Sequence, residues 1–513
     1  MFQFIRNLSL VSGLTLVSRV LGLLRDILFF AIFGASVYGE AFLLAFTLPN
    51  LLRRMLGEGT LSSAFVPVFT DLTNGNKEKD AWKLLNQVLT RLFFFVGSFS
   101  LLVILISFLV GQFFFYENEK WMLGSSLNSL TFGYGVFICS SAIVVGALNV
   151  KGSFFEGAVS PIILNLCLIL ALLAGGYVFS LSQYKVSLLL AGSVLLAAMV
   201  QLSLPWQNLK RMGWQWNWDR GCTSELLTVQ KLFWVGAMGA AVTQINVLVS
   251  RFLAYSLDDS GALSSLYISA RLVELPLGVF AIAISTVLFP GLAKTSSSRN
   301  SAEFGNIFLR GIKTITWITL PAAFGLSVLS ELVVRVLFEW NEFGSEEVMK
   351  AAMVLKLAAW SIPLYAYTSF LVKAYHAKKE MHVPFRAALI SMLVNLLFSL
   401  ILLIPLGITG LVWANLISCL FQLIYLTARS SFWSLSKWFS GDKVNLIKCS
   451  IAGLILFLTL SNFESFWEIA GNSKGDLILE LIIKVVVGMV IYFLGLLTLG
   501  VLRIDSFQKI ISK

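Results

Sequence analysis

Six arginines stand where arginine is hardest to accommodate, inside runs that are otherwise almost wholly apolar: Arg19, Arg25, Arg53, Arg54, Arg251 and Arg271. Asp26, Glu40, Glu58 and Glu274 lie in the same runs. An arginine at the centre of a membrane-spanning helix costs about 2.5–3.5 kcal/mol on insertion scales, so such a set is tolerable only where water, a partner or a ligand receives the charge. Helical spacing sorts them. Ser18, Gly22 and Arg25 follow i, i+4, i+7 along one stripe, and Arg19, Leu23 and Asp26 form the stripe beside it. Arg54 and Glu58 are i, i+4 neighbours and Arg271 and Glu274 are i, i+3 neighbours, so each pair can neutralise itself. Six arginines against four carboxylates leave two positive charges over. That surplus, shared by one cavity, suits an anion, and guanidinium groups match phosphate oxygens in geometry and charge. Singly, each arginine is as well read as a structural pair or a snorkelling side chain. Arg19, Arg25, Arg53 and Arg271 together favour a lined cavity.

The elements that must hold these charges follow from composition. The 513 residues are 58% hydrophobic and 13% charged, with a mean hydropathy of +0.85. Soluble domains carry about 25% charged residues, so half the usual solvated surface is missing. An all-α, polytopic integral membrane protein is expected. The net charge of +11 would point a soluble protein towards nucleic acid. Here the basic residues sit in short connections between apolar runs, the pattern that orients a membrane protein, and no nucleic-acid partner is expected. Cys139, Cys167, Cys222, Cys419 and Cys449 show no C-x-x-C spacing, and His376 and His382 are the only histidines, which argues against a metal centre or a disulfide framework.

About 20 apolar residues cross a roughly 30 Å hydrocarbon core, and that window yields about fourteen spans. The first, near 10–33, begins like a signal peptide, but Arg19, Arg25 and Asp26 interrupt it, so a retained helix is expected. With the N-terminus placed in the cytoplasm, 25 lysines and arginines fall in inside segments and 4 outside, at Lys120, Lys185, Lys350 and Lys474. That asymmetry supports an even number of spans with both termini inside. Four tryptophans in the longest loop, Trp206, Trp214, Trp216 and Trp218, read as an interfacial belt.

A faint repeat runs through the chain. Val17-Ser18-Arg19 returns as Val249-Ser250-Arg251, and Leu48-Pro49 returns as Leu275-Pro276. Ala147, Lys151, Pro161 and Asn165 return as Ala374, Lys378, Pro384 and Asn395. The common order implies two pseudo-symmetric six-helix lobes, 1–220 and 221–435, with two further helices in 436–513. Pro49, Gly57 and Gly59 would let the second span bend, and Pro276 and Gly278 the eighth.

The segments SRVLGLLRD (18–26), LPNLLRRMLGEGTLSSAFVPVF (48–69) and ARLVELPLGVFAIAISTVLFPGLAK (270–294) closely resemble the MurJ (MviN) lipid II flippases of the multidrug/oligosaccharidyl-lipid/polysaccharide exporter superfamily. The resemblance implies alternating-access movement of lipid II, the undecaprenyl-pyrophosphate-linked peptidoglycan precursor, from the inner to the outer leaflet of the bacterial cytoplasmic membrane. It places essential arginines at Arg19, Arg25, Arg53 and Arg271, with Asp26 beside them, and acidic gating positions at Glu40 and Glu58. From the residues themselves, Ser18 joins the binding face, and Pro49, Arg54 and Glu274 join the gating set. It also implies a groove for the lipid tail in 436–513. Two lobes in one chain suit a monomer, and the peptidoglycan synthesis machinery is a candidate partner.

Two departures stand out. Ala270 replaces an aspartate usual before the eighth span's glutamate, and Ser250 and Ser399 replace acidic residues that hold sodium in some members, with Asn395 retained. A degraded sodium site is expected, no cofactor, and coupling to membrane potential, protons or another cation. An exporter of another polyprenyl-linked oligosaccharide is the nearest alternative. An enzyme acting on polyprenyl phosphates is a distant one, because Asp258-Asp259 and Glu346-Glu347, the only adjacent acidic pairs in the outside loops, lack a histidine or an arginine cluster beside them.

Overall fold

The computed structural model describes residues 2–115, 117–278, 282–298, 301–430, 432, 443–463 and 473–501, and these are helical with short connections. Seven helices among them are long and apolar enough to cross a membrane, or eight when one pair bent by 43° counts as a single span. The chain divides into two compact units, Met1–Gly261 with Trp340–Phe343, and Ala262–Glu339 with Gly344–Lys513.

The first unit holds α1 (Phe2–Phe33), α2 (Val37–Leu52), a π-helical segment (Arg53–Thr60), α3 (Leu61–Asn74), α4 (Glu78–Phe113), α5 (Glu119–Thr131), α6 (Tyr134–Val150), α7 (Phe155–Leu172), a second π-helical segment (Leu173–Val178), α8 (Gln183–Arg211) and α9 (Ser224–Ser256). α9 packs on α2, α3 and the first π segment, and this compact unit runs to Gly261. Ser36 caps α2 through the Gly39 N–H, and Thr223 caps α9 through the Leu226 N–H. In the first turn of α9, Glu225 is held below its ordinary pKa, first by its own backbone N–H and then by the Ser224 hydroxyl.

Prolines interrupt these helices, and lipid offers no water to satisfy the carbonyls they free. Pro49 frees the Ala45 carbonyl in α2, and the Thr131 hydroxyl donates to it at 3.2 Å from α5. Pro205 frees the Gln201 carbonyl in α8, and the Ser141 hydroxyl donates to it at 2.7 Å from α6.

The second unit holds α10 (Ala262–Pro276), α11 (Ile282–Ser297), α12 (Ser301–Val328), α13 (Ser330–Phe338), α14 (Ser345–Ala358), α15 (Ser361–Ala377), α16 (His382–Arg429), α17 (Lys443–Ser461) and α18 (Lys474–Thr498). α16 is broken at Gly407, whose φ of 56° and ψ of −134° are non-helical, between the apolar runs 384–405 and 407–429 that the sequence sets apart as two spans. α17 packs on α12 and α18 around Cys449, Ala452, Leu456, Tyr492 and Leu496. Of the segment expected to carry the lipid-tail groove, 436–442, 464–472 and 502–513 lie outside the described residues.

Candidate functional site

In α1, Arg25 and Asp26 occupy neighbouring stripes, yet the guanidinium folds back onto the carboxylate. Nη2 and Nε donate to the same Asp26 oxygen at 2.5 and 3.0 Å. The third arm, Nη1, donates to Asn165 Oδ1 of α7 at 3.1 Å, and Asn165 Nδ2 donates to the Ser18 carbonyl at 3.1 Å. Asn165 therefore ties both ends of the polar face to α7. Asp26 is buried and the Arg25 side chain retains 13% exposure, so the pair is a charge-neutralised polar contact inside an apolar layer. Arg19 lies on the same stripe as Asp26 and is exposed, beside an apolar flank of Leu16, Val20 and Leu24. Asn165 entered the sequence reading only as a mark of the repeat; its contact with Arg25 crosses 140 residues and has no local signal.

Glu40 lies in the first turn of α2 and is 1% exposed. Its counter-ion is Lys120, with Nζ 3.6 Å from Oε2. Lys120 also donates to the Leu257 carbonyl at 2.9 Å and lies 4.7 Å from the centre of the Tyr255 ring, while the Tyr255 hydroxyl donates to the Lys120 carbonyl. This cluster joins the start of α2, the start of α5 and the end of α9. In sequence Lys120 counted only as one of the outside charges, because its helix begins one residue before it.

After Pro49 the second span becomes π-helical over Arg53–Thr60. The Leu61 N–H bonds to the Leu56 carbonyl, and the Thr60 hydroxyl bonds to the Met55 carbonyl at 2.6 Å, both five residues back. The i, i+4 pairing expected of Arg54 and Glu58 assumes 3.6 residues per turn, and that premise does not hold here. The Glu58 side chain lies outside the described residues. Arg53 Nε donates to Asn50 Oδ1 at 2.9 Å, and Arg54 is half-buried. Arg251 of α9 donates to Thr47 Oγ1 of α2 at 2.7 Å, which places it among structural contacts.

In the second unit Arg271 and Glu274 form the expected i, i+3 pair at 3.5 Å, with side chains 39% and 53% exposed. Asn395 and Ser399 are buried one turn apart in α16, the hydroxyl donating to the amide oxygen at 3.2 Å. Ser250 lies on α9 in the first unit. Asn395, Ser250 and Ser399 offer only neutral oxygens, and the described residues contain no group of three His, Cys, Asp or Glu able to hold a metal ion. Glu480 and Lys484 of α18, absent from the charges singled out above, are 2.5 Å apart at i, i+4, with Lys484 buried. Their spacing was visible in sequence.

Trp214 departs from the interfacial belt. It is 1% exposed, its Nε1 donates to Asn86 Oδ1 at 2.9 Å, and its ring meets Trp206 edge-on at 4.6 Å. Trp218, by contrast, is 58% exposed.

Comparison with known proteins places this architecture. The family profile described as "Lipid II flippase MurJ" matches residues 29–500, a stretch that begins just after the Arg25–Asp26 pair. A probable lipid II flippase MurJ of Buchnera aphidicola subsp. Acyrthosiphon pisum is 30% identical over 532 residues, covering 99% of each chain. One from Vibrio cholerae is 32% identical over 433 residues, covering 81% of each. A solved lipid II flippase MurJ in an inward closed conformation superposes with a TM-score of 0.74 at 26% identity, covering 95% of this chain and 97% of that one. An inward-facing multidrug transporter of the MATE family in the MOP superfamily shares the fold alone, with a TM-score of 0.64 at 12% identity. The chain is a multi-pass membrane protein and belongs to the MurJ family of lipid II flippases.

Proposed function

We propose that the protein carries lipid II from the inner to the outer leaflet of the bacterial cytoplasmic membrane by alternating access, with Arg25, Arg53 and Arg271 receiving the pyrophosphate and Arg19 assisting from the polar face of α1. The observation that carries this reading is the Arg25 guanidinium, set in an apolar layer and satisfied on three arms by Asp26 and Asn165. An arginine already matched to a carboxylate is pre-shaped for a phosphate, and the substrate then competes with Asp26 for the same donors. Asp26 compensates the charge while the site is empty.

The head group enters on the cytoplasmic side while the polyprenyl tail stays in lipid, along a groove in 436–513. Glu40, Arg54, Glu58 and Glu274 gate the passage, and Pro49 with the π segment supplies the hinge of the second span. Two lobes, 1–220 and 221–435, move against each other within about fourteen spans. The protein acts as a monomer, with both termini cytoplasmic, and hands its cargo to the peptidoglycan synthesis machinery. Its neutral Asn395, Ser250 and Ser399 favour coupling to membrane potential, protons or a cation held elsewhere.

The test is complementation in a bacterium whose own flippase is switched off, with outer-leaflet lipid II measured by an external lipid II-cleaving toxin. Rescue that is lost on Arg25→Ala at equal protein level supports the reading. Rescue retained in full by Arg25→Ala and Arg271→Ala overturns the cationic site. No rescue despite correct insertion transfers the assignment to another polyprenyl-linked oligosaccharide.

A further inference from the structure

A cavity of about 970 Å³ lies within the first unit, apart from the Arg25 site, between α4, the first π segment and the start of α9. Its walls are apolar: Leu56 from the π segment, Phe95, Phe99 and Leu102 from α4, and Phe233 from α9. The outer wall is exposed, with Phe95 at 61% and Leu102 at 52%, on a helix whose most apolar stretch is only 11% buried. A face of that kind on a spanning helix meets acyl chains.

One end of the cavity is cationic. Arg91 and Arg220 both line it, and its lining contains no carboxylate among the described residues. Arg91 Nη1 is buried with no hydrogen-bond partner among the described residues. The loop before α9 sets Arg220 in place. The Asp219 carboxylate accepts from Gln87 Nε2 at 3.2 Å and from the Gly221 N–H at 2.7 Å, and the Asp219 N–H donates to Thr90 Oγ1 at 3.2 Å. Trp218 packs on Phe94, and the Arg220 guanidinium lies 5.1 Å from the centre of the same ring. Phe94 is one turn from Arg91, so both guanidinium groups serve one end of the cavity. From Arg91 to Leu102 the slot runs about 16 Å along α4.

An unsatisfied buried guanidinium donor beside a second arginine calls for an anion. An apolar slot open to lipid, leading away from that point, calls for an acyl chain. We propose that this cavity is a binding site for an anionic phospholipid of the leaflet facing the start of α4, with its phosphate on Arg91 and Arg220 and one acyl chain along Phe95, Phe99 and Leu102. Since Leu56 of the π segment forms part of the wall, occupancy supports the irregular turn of the second span from outside. The site is independent of the lipid II site and can be tested without measuring transport.

The test is native mass spectrometry of the purified full chain with phosphatidylglycerol, phosphatidylcholine and inorganic phosphate. Phosphatidylglycerol should be retained in preference to phosphatidylcholine, and Arg91→Gln with Arg220→Gln should lower its retention roughly tenfold. Ser98→Trp, at an exposed position in the lining, fills the slot while keeping both arginines, and should lower retention as far. It decides the matter if the double variant fails to fold. Equal retention of the two lipids, or unchanged retention in both variants, overturns the proposal. Displacement of the lipid by millimolar inorganic phosphate also overturns it, reducing the cavity to a simple anion site.

Discussion

Glu40 and Lys120 form an ion pair whose two members are unequally buried, at 1% and 18% side-chain exposure. Removing the lysine takes away a cation that lies 3.6 Å from a buried carboxylate. Lys120→Met should therefore cost about 2–4 kcal/mol, below the upper end for a fully buried pair because the lysine keeps some contact with solvent. Adding Glu40→Gln removes the buried negative charge, so thermal unfolding of the double variant in detergent should recover most of the loss. If the double variant is as unstable as Lys120→Met alone, the lysine acts through Leu257 and Tyr255 and not through Glu40. The same logic applies to Asn165→Ala, which withdraws one acceptor from Arg25 and one donor from the Ser18 carbonyl. It should lower flipping several-fold while leaving Arg25→Ala the more severe lesion, read in the complementation assay at matched expression. Neither partner was legible beforehand. Arg25, Asp26 and Glu40 announce themselves as charges in apolar runs, but Asn165 and Lys120 become partners only through tertiary packing, across 140 and 80 residues.

Spans are the most legible elements in this chain, because hydropathy acts over some twenty residues and survives local irregularity. The break at Gly407 between the two halves of α16 is a case in point. Local geometry within a span was less accessible. Arg54–Glu58 is spaced for a regular helix, but the backbone over Arg53–Thr60 takes i→i+5 bonding, with α9 packed against this segment. The hydroxyl that answers each proline is a testable part of that backbone. Thr131→Val keeps the shape and removes the donor to the Ala45 carbonyl, and Ser141→Ala does the same for Gln201. Each should destabilise by about 1–3 kcal/mol in an unfolding titration. Thr131→Ser, which keeps the donor and loses the methyl, should be less destabilised than Thr131→Val, and the reverse order would show that the hydroxyl contributes less than packing.

For the molecule as a whole, the orientation read from 25 inside against 4 outside basic residues makes a direct claim about sidedness. In a chain freed of its five native cysteines, Lys77→Cys and Ser182→Cys mark opposite ends of the first unit's spans, both at exposed positions. A membrane-impermeant maleimide should label Ser182→Cys in intact cells and Lys77→Cys only after permeabilisation. The reverse pattern would invert the protein and, with it, the leaflet assigned to every cytoplasmic residue named above. One backbone detail also reaches the scale of the whole molecule's history. A kinked helix whose liberated carbonyl is quenched by a neighbour's hydroxyl is a two-residue character, inherited jointly. Among relatives, lineages that replace Pro49 should be released to lose the hydroxyl at 131, and those that replace Pro205 to lose the one at 141, while the opposite order of loss should be rare. The prolines and their distant hydroxyls would then leave a record of correlated descent, readable in alignments with no reference to transport.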